Sequence, residues 1–405
     1  MSPPSRPKGE YRSAQHEGTP VSRLRWGLVG GGEGAFIGAV HRIAARLDDR
    51  YQLLAAAPSS DPSRAQRSGA AWHLAPDRVY ADFRQMARAE AARPDGIDVV
   101  SIVTPNHLHH PVACAFLDAG IHVLCDKPLT RTLAEAEDLV LRTQASGRLL
   151  GVTYTYTGYP MVREARALVQ AGALGDLRVV QVEYAQDWLA SPLEASGQKQ
   201  AAWRTDPAQA GEGGCVADIG SHAYHLAGFV TGLAATELSA ELSRFVPGRA
   251  VDDDAQVRLR YANGARGQLW ASQVASGCLN GLALRVFGSL GGLSWCQENP
   301  ELLTVTRLGE APRQLRRGGP GLGLGLGVHA GQASRLPGGH PEGYLEAFAQ
   351  LYRDMADQVQ AWRSGQPAPA AAALLPDVAA GAAGLRFVDA ALRSSRANGA
   401  WVGLG

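Results

Sequence analysis

In the first half of the chain, short apolar runs alternate with stretches in which apolar residues recur at helical spacing. The apolar runs predict strands over 24–29, 51–57, 97–103, 121–125 and 149–155. The helical spacing predicts helices over 39–47, 108–119 and 132–146. Buried strands that alternate with helices indicate a parallel sheet covered on both faces.

In the second half, predicted strands follow one another without helices between them. Residues 257–261 and 267–270 flank Asn263-Gly264, a pair typical of a tight hairpin turn, and residues 282–297 predict a second hairpin. Consecutive hairpins indicate an antiparallel sheet. The glycine-rich segment 318–327 has no strand-to-helix context, so we expect a flexible loop there. Helices are predicted over 160–171, 342–364 and 376–396.

The length of 405 residues exceeds what one core usually supports, so two domains are expected. The 39 basic and 38 acidic side chains balance, which argues against nucleic acid or a membrane surface as a partner, and no apolar run is long enough to span a bilayer. The five cysteines are scattered and odd in number, which favours reduced thiols and a cytoplasmic location. Residues 1–22 are polar and are expected to form a flexible tail.

A glycine-rich turn, Gly30-Gly31-Gly32-Glu33-Gly34-Ala35-Phe36-Ile37-Gly38, joins the first predicted strand to the first helix. Glycine in this position lets the backbone amides and the helix N-terminus approach a pyrophosphate. Gly30 and Gly32 fit the G-x-G-x-x-G spacing, and Gly38 is expected to enter the helix, which makes the loop three residues longer than usual. The turn predicts a dinucleotide cofactor.

The end of the second predicted strand bears on which dinucleotide binds. Asp61 favours NAD, because an acid at this point can bind the ribose hydroxyls. Ser59 and Arg64 could instead hold the 2′-phosphate of NADP. The sequence leaves NAD and NADP open, with NAD slightly favoured.

Two later motifs supply groups for acid–base chemistry. Lys127 lies between Asp126 and Pro128 at the carboxyl end of a predicted strand, where sites in such sheets form. Asp218 and His222 stand four residues apart, and they share a face if a helix begins there. An acid beside a histidine can orient a general base. Taken alone, the lysine and the Asp/His pair each have an ordinary structural explanation. Because they follow a cofactor-binding turn in the same chain, they predict a hydride-transfer site.

Thr104-Pro105-Asn106-His107 follows the strand expected to edge the cofactor cleft. The string His107-Leu108-His109-His110 suggests a metal site, but no carboxylate or thiolate ligands accompany it in the sequence. We therefore expect no metal, with His109 and His110 at the exposed start of a helix.

Four motifs together resemble the Gfo/Idh/MocA oxidoreductases, the relatives of glucose–fructose oxidoreductase and inositol dehydrogenase. They are the turn Gly30–Gly38, Thr104–His107, Asp126-Lys127-Pro128, and Gly213-Gly214 with Asp218 and His222, in order over about residues 23–300. The resemblance implies an α/β N-terminal Rossmann domain over 23–152. It implies an α+β C-terminal domain over 153–405, for substrate binding and oligomerisation, with a large, mostly antiparallel open sheet. Homodimers or homotetramers are expected.

The resemblance also implies roles for the motif residues. His222 is the expected base, Lys127 would polarise the substrate hydroxyl, and Asp218 would hold His222. The cofactor is expected to contact Thr104, Asn106, His107 and Asp126, in addition to the turn and the residues after the second strand. Asp126 departs from the family, which usually has glutamate there, and His225 stands where many relatives carry aspartate.

The expected substrate is a small polyol, sugar or glycoside. Tyr156, Tyr159 and Arg163 lie where relatives place sugar contacts, and the segment 186–210 is expected to cover the pocket. The other candidate substrate contacts are Lys199, Trp203, Arg204, His225 and His340.

Three function classes remain open from the sequence. The favoured one is an NAD(P)-dependent dehydrogenase that oxidises a ring hydroxyl of a sugar, inositol or glycoside, or reduces the corresponding keto compound. The alternative is an NAD-dependent glycosidase that works by transient oxidation, elimination and re-reduction. A cofactor-binding protein without catalysis is the third, and the intact Lys127, Asp218 and His222 argue against it.

Overall fold

The computed structural model describes residues 23–319 and 328–404, so the predicted tail over 1–22 and most of the glycine-rich segment lie outside it. The first half forms five strands: β1 (Leu24–Gly30), β2 (Tyr51–Ala57), β3 (Val99–Val103), β4 (His122–Cys125) and β5 (Leu150–Val152). Five helices connect or flank them: α1 (Phe36–Leu47), α2 (Pro62–Ala71), α3 (Phe83–Ala92), α4 (His109–Asp118) and α5 (Leu133–Ser146).

These strands form one parallel sheet in the order β2-β1-β3-β4-β5. An isolated parallel bridge between Ala56 and Val79 extends the sheet beyond β2 by one residue pair. From β1 the chain passes to β2 on one side of the sheet and then returns to β3 on the other side of β1, so the strand order reverses between β1 and β3. In sheets of this kind, ligands bind in the crevice outside the strand ends at such a switch point. The predicted parallel sheet is confirmed, and its switch point falls beside the glycine turn.

A second sheet of nine strands fills the other half: β6 (Leu177–Ala185), β7 (Ala235–Ser243), β8 (Asp254–Tyr261), β9 (Arg266–Ser272), β10 (Gly281–Gly288), β11 (Gly291–Cys296), β12 (Leu302–Arg307), β13 (Arg313–Arg316) and β14 (Val402–Gly403). The order is β13-β12-β11-β10-β6-β9-β8-β7-β14, and among these described strands only β6 and β9 pair in parallel. Both predicted hairpins, β8–β9 and β10–β11, are present. The mostly antiparallel sheet is confirmed.

The helices of this half are α6 (Pro160–Gln170), α7 (Lys199–Arg204), α8 (Pro207–Ala210), α9 (Ser221–Thr231), α10 (Val328–Ala333), α11 (Tyr344–Ser364) and α12 (Val378–Arg396). Alternate residues of β8 are buried and exposed, as expected for a sheet with one apolar face against helices. No helix in the described parts of the chain is both long and apolar enough to cross a membrane.

Helix α11 belongs to the core of the first sheet, although its sequence position put it in the second domain. The Tyr352 hydroxyl lies 2.8 Å from both His41 Nδ1 and Ser101 Oγ, and Tyr51 donates to the Tyr352 carbonyl oxygen at 2.7 Å. Trp26 packs edge-on against Tyr352 with ring centroids 5.7 Å apart. The chain therefore returns from the second sheet to complete the first core.

Candidate active site

The glycine turn after β1 forms a cradle that side chains would fill. Gly30 and Gly31 have φ angles of +84° and +69°, which favour glycine. A Cβ on Gly38 would lie 2.4 Å from the Cα of Gly31, so the start of α1 touches the turn at the predicted third glycine. No side chain caps α1 at Ala35, so its first amides keep their capacity to bind an anion. The turn fits a dinucleotide pyrophosphate.

The residues after β2 mainly organise the start of α2. Asp61 Oδ1 accepts a hydrogen bond from the Arg64 amide at 2.7 Å and so caps the helix, while the Asp61 amide donates to Ser59 Oγ at 3.2 Å. The Arg64 side chain is exposed. Asp61 thus has a structural role that leaves its second oxygen available, and these contacts are compatible with either NAD or NADP.

The segment after β3 lines the opposite side of the cleft. The Thr104 hydroxyl and His107 Nδ1 are buried, and neither has a hydrogen-bond partner among the described residues. Asn106 Nδ2 donates to the carbonyl oxygen of Ala210 at 2.9 Å and so joins this segment to the second half of the chain. Unpaired buried polar atoms beside the glycine turn fit a polar ligand in the cleft.

His109 is not exposed as expected; the structure buries it. Its Nδ1 lies 2.9 Å from the carbonyl oxygen of Pro128, and its Nε2 lies 2.8 Å from that of Thr104. The ring thus connects the loop after β3 to the loop after β4. Contrary to expectation, a thiol and a carboxylate do accompany these histidines: Cys114 and Asp138 both lie beside His110, which is half-buried.

Lys127 and Asp218 form an ion pair at the carboxyl end of β4. Lys127 Nζ donates to Asp218 Oδ1 at 2.7 Å and to the Asp218 carbonyl oxygen at 2.8 Å. Asp126 Oδ1 accepts from the Lys127 amide at 2.9 Å and from the Thr153 hydroxyl at 2.7 Å, which fixes the turn that carries the lysine. The ammonium has three N–H donors, so one is left for a ligand.

Asp218 does not hold His222 as expected. Its Oδ1 binds Lys127, its Oδ2 accepts from Gln273 Nε2 at 2.8 Å, and Arg204 Nε lies 3.7 Å from the same Oδ2. Burial alone would raise the pKa of the Asp218 carboxyl, but the charges of Lys127 and Arg204 outweigh it and hold that pKa well below its usual value. Asp218 is therefore a carboxylate that holds the lysine.

Three tyrosine rings surround His222 next to this ion pair. Its ring centroid is 4.9 Å from that of Tyr156, 5.6 Å from Tyr154 and 6.2 Å from Tyr184. Burial, and secondly the charge of Lys127, lowers the pKa of His222 well below its usual value. The imidazole is therefore neutral near pH 7 and can accept a proton.

A single π-helical turn, Val216–Gly220, carries Asp218 and runs into α9, which carries His222. Such turns are frequent at functional sites. The buried Asp252 carboxylate fixes the start of the turn, because it accepts from the Gly214 amide at 2.6 Å and the Val216 amide at 2.8 Å. Asp252 is thus a positioning residue, and no motif in the sequence pointed to it.

Two family models match the chain. Residues 24–154 match the oxidoreductase family with an NAD-binding Rossmann fold, and residues 162–294 match the GFO/IDH/MocA C-terminal domain. The chain belongs to the Gfo/Idh/MocA family. It is thus an NAD(P)-dependent oxidoreductase that acts on CH–OH groups.

Two relatives of this Gfo/Idh/MocA protein align with 94% of its length, and a third aligns with 70% of it. The uncharacterized oxidoreductase YfiI of Bacillus subtilis is 35% identical over 94% of this chain and 96% of the relative. The structure of an inositol dehydrogenase homolog from Azotobacter vinelandii, complexed with NADH and myo-inositol, is 36% identical, covers 94% of this chain and 97% of that chain, and superposes with a TM-score of 0.86. Levoglucosan dehydrogenase of Pseudarthrobacter phenanthrenivorans is 28% identical over 70% of this chain and 76% of the relative.

Some of the predicted substrate contacts of this family member gather around His222. Tyr156 is buried beside it, and the His225 ring stacks on Tyr154 with centroids 4.0 Å apart. Tyr159 is buried one layer further out, where its ring lies 5.5 Å from that of Trp295.

Other predicted contacts lie over the ion pair. Arg204 lies 4.2 Å above the Trp203 ring and reaches toward Asp218 from α7, whereas Lys199 at the start of that helix is exposed. This arrangement agrees with a segment that borders the site.

The structure does not bring Arg163 or His340 to this group. The Arg163 guanidinium is buried, pairs with Asp354 of α11 and donates to the Thr157 carbonyl oxygen at 3.0 Å, so its hydrogen bonds are directed into the core. His340 is exposed, and its carbonyl oxygen accepts from Arg317. The sequence pattern missed Gln273, Tyr154 and Tyr184, because only the pairing of distant strands brings them to Asp218 and His222.

Proposed function

We propose that this protein is an NAD(P)-dependent dehydrogenase that oxidises a ring hydroxyl of an inositol, sugar or glycoside, or reduces the corresponding keto compound. The observation that carries the proposal is the Lys127–Asp218 ion pair next to the buried His222, whose Nδ1 has no hydrogen-bond partner among the described residues. A lysine with one free donor and a neutral base next to it are what removal of a hydroxyl proton requires.

The chemistry divides between the cofactor and these side chains. NAD(P), bound at the glycine turn, supplies the hydride acceptor at C4 of its nicotinamide. The third N–H of Lys127 donates to the substrate hydroxyl oxygen and stabilises the negative charge that develops there. His222 takes the hydroxyl proton on its unprotonated ring nitrogen. Loss of this proton to His222, and of the C–H hydrogen with its electron pair to the bound cofactor, would convert the C–O bond to a carbonyl.

Asp218 serves this reaction by orienting the lysine. Its side-chain and backbone oxygens both accept from Nζ, which leaves the remaining donor in a defined direction. Gln273 and Arg204 stabilise the carboxylate from the other side. Asp218 is therefore assigned as the positioning partner of Lys127.

The surroundings of His222 favour a ligand with several hydroxyl groups. Asn280 Oδ1 accepts from the Tyr184 hydroxyl at 2.7 Å and from Gln186 Nε2 at 2.8 Å. The Tyr156 hydroxyl is hydrogen-bonded to Tyr184, so a chain of polar groups runs past the histidine. The complex of the Azotobacter homolog with myo-inositol agrees with a polyol as the substrate class.

NAD is the proposed cofactor, because the second oxygen of Asp61 is free to bind ribose hydroxyls. The testing experiment follows absorbance at 340 nm with purified protein, NAD or NADP, and a panel of inositols, aldoses, sugar acids and aryl glycosides. Reduction that depends on an added polyol supports the proposal. Release of an aglycone that depends on NAD but gives no net reduction would replace it with the glycosidase.

A further inference from the structure

Helices α4 and α5 bring three different metal-ligating side chains together on the first domain. His110 and Cys114 are four residues apart on α4 and share one face of the helix, and Asp138 faces them from α5. His110 Nε2 lies 2.7 Å from Asp138 Oδ2 and 3.5 Å from Cys114 Sγ, and Sγ lies 3.9 Å from the same Oδ2. The cysteine and the histidine are half-buried.

The thiol and the carboxylate approach the same nitrogen of His110. In a catalytic triad, the acid is hydrogen-bonded to one ring nitrogen of the histidine and the nucleophilic thiol to the other. Because both groups approach Nε2, a single ion could contact His110 Nε2, Cys114 Sγ and Asp138 Oδ2 at the same time. This arrangement is that of ligands around a shared ion.

The distances favour zinc geometry. Zinc–sulfur bonds of about 2.3 Å and zinc–nitrogen bonds of about 2.0 Å at a tetrahedral angle separate the two ligand atoms by about 3.5 Å. The distance from Cys114 Sγ to His110 Nε2 is 3.5 Å. The Asp138 oxygen has to withdraw from His110 by only about 0.6 Å to reach its tetrahedral place.

We propose that His110, Cys114 and Asp138 bind a zinc ion, with the fourth position open to water. Imidazole and thiolate select zinc over magnesium or calcium, which prefer oxygen ligands. Arg142 Nε donates to Asp138 Oδ2 at 2.6 Å, so the carboxylate already has the outer hydrogen-bond partner that ligating groups usually have. Among the described residues, no hydrogen bond or ion pair joins these three side chains to Lys127 or His222, and the occupancy of the zinc site does not depend on the proposed reaction.

The test uses the full-length protein after chelation and removal of the chelator. Cobalt(II) replaces zinc as a spectroscopic probe, and tetrahedral coordination with a thiolate gives visible d–d bands and a near-ultraviolet sulfur-to-cobalt band. We expect one cobalt per chain and loss of the bands when zinc is added. Cys114→Ser should abolish the sulfur-to-cobalt band, and Asp138→Asn should weaken cobalt binding at least about tenfold.

Cys278→Ser is the matched control, because it removes another half-buried thiol in the second domain and should leave the spectrum unchanged. Labelling of the wild-type protein with a thiol reagent keeps the test valid if a variant fails to fold: zinc should protect Cys114 and leave Cys278 reactive. A wild-type spectrum without the sulfur-to-cobalt band, or equal labelling of Cys114 with and without zinc, overturns the proposal.

Discussion

Replacement of Lys127 by alanine tests the central assignment. The substitution removes the ammonium that donates to Asp218 at 2.7 and 2.8 Å, and its side chain is only 17% exposed, so no other cation takes its place easily. In the described part of the chain, both hydrogen bonds of Lys127 Nζ go to Asp218, and none goes to the glycine turn or to the residues after β2. Cofactor binding should therefore persist.

The expected size of the effect follows from the role of the lost donor. Removal of one hydrogen-bond donor to a developing oxyanion typically costs about 10²–10³ in kcat, or about 3–4 kcal/mol. Asp218 keeps Gln273 at 2.8 Å and Arg204 at 3.7 Å, so its carboxylate is not left unpaired. The cost to the free energy of unfolding should therefore be about 1–2 kcal/mol, below the value for breaking a fully buried pair.

The pH dependence of that cost has a definite sign. The folded-state pKa of Asp218 is depressed, because the charges of Lys127 and Arg204 outweigh the effect of burial. The pair therefore stabilises the fold above the unfolded pKa of about 3.9, and this contribution is lost as the pH falls below it. The stability difference between wild type and Lys127→Ala should shrink in acid.

The assay measures NAD reduction at 340 nm with the polyol that proves active, and cofactor binding by NADH fluorescence. Arg178→Ala, at an exposed position of β6, is the control for loss of a cation. Lys127→Arg keeps the charge but not the geometry of the ammonium, so an intermediate rate is expected. Turnover equal to wild type in a folded Lys127→Ala protein would show that Lys127 does not stabilise the reacting oxygen.

Three further predictions concern other parts of the site. His222→Asn should lower kcat/KM by about 10²–10⁴. In the wild-type protein, activity should fall in acid only below the usual histidine pKa, because burial lowers the pKa of His222. A pH–rate profile with its midpoint at or above 6.5 would contradict this. Asp61→Ala should cost about 1 kcal/mol of stability through loss of the α2 cap, whereas Asp61→Asn should keep the cap. Both variants should lower the kcat/KM for NAD relative to that for NADP. If neither does, Asp61 does not bind the ribose. Asp252→Leu leaves two buried amides unpaired, so urea unfolding should show a loss of about 2–4 kcal/mol, and an unchanged midpoint would remove Asp252 from its positioning role.

Homo-oligomerisation stays a prediction. The face of the second sheet that is not covered by helices carries polar residues such as Gln181 and Glu183 on β6 and Arg258 on β8, with β9 between these two strands. Mass measurement in solution decides whether a second copy packs there.

Local pattern located many of the elements but was poor for burial. Five apolar runs and two hairpin signals placed β1–β5 and β8–β11, because the period of apolar residues depends only on the element and its buried face. His109 was wrongly expected to be exposed, since the pattern at a helix start does not reveal that two loops close over the ring. Arg163 has the sequence position of a substrate contact, but its partner Asp354 is 191 residues away.

By itself, the sequence determined the two-sheet architecture, the glycine turn and the presence of Lys127, Asp218 and His222 in that order. The two sheets follow from the short-range periodicity of apolar residues. The glycine turn, the lysine, the aspartate and the histidine are informative because few kinds of protein need all of them in this order. Only the tertiary structure decided that Asp218 binds Lys127 rather than His222, that α11 completes the first core, and that Asp138 joins His110 and Cys114. Each of these contacts joins residues that sequence spacing does not bring together, because side-chain partners are chosen by how whole elements pack and not by the local pattern of either element.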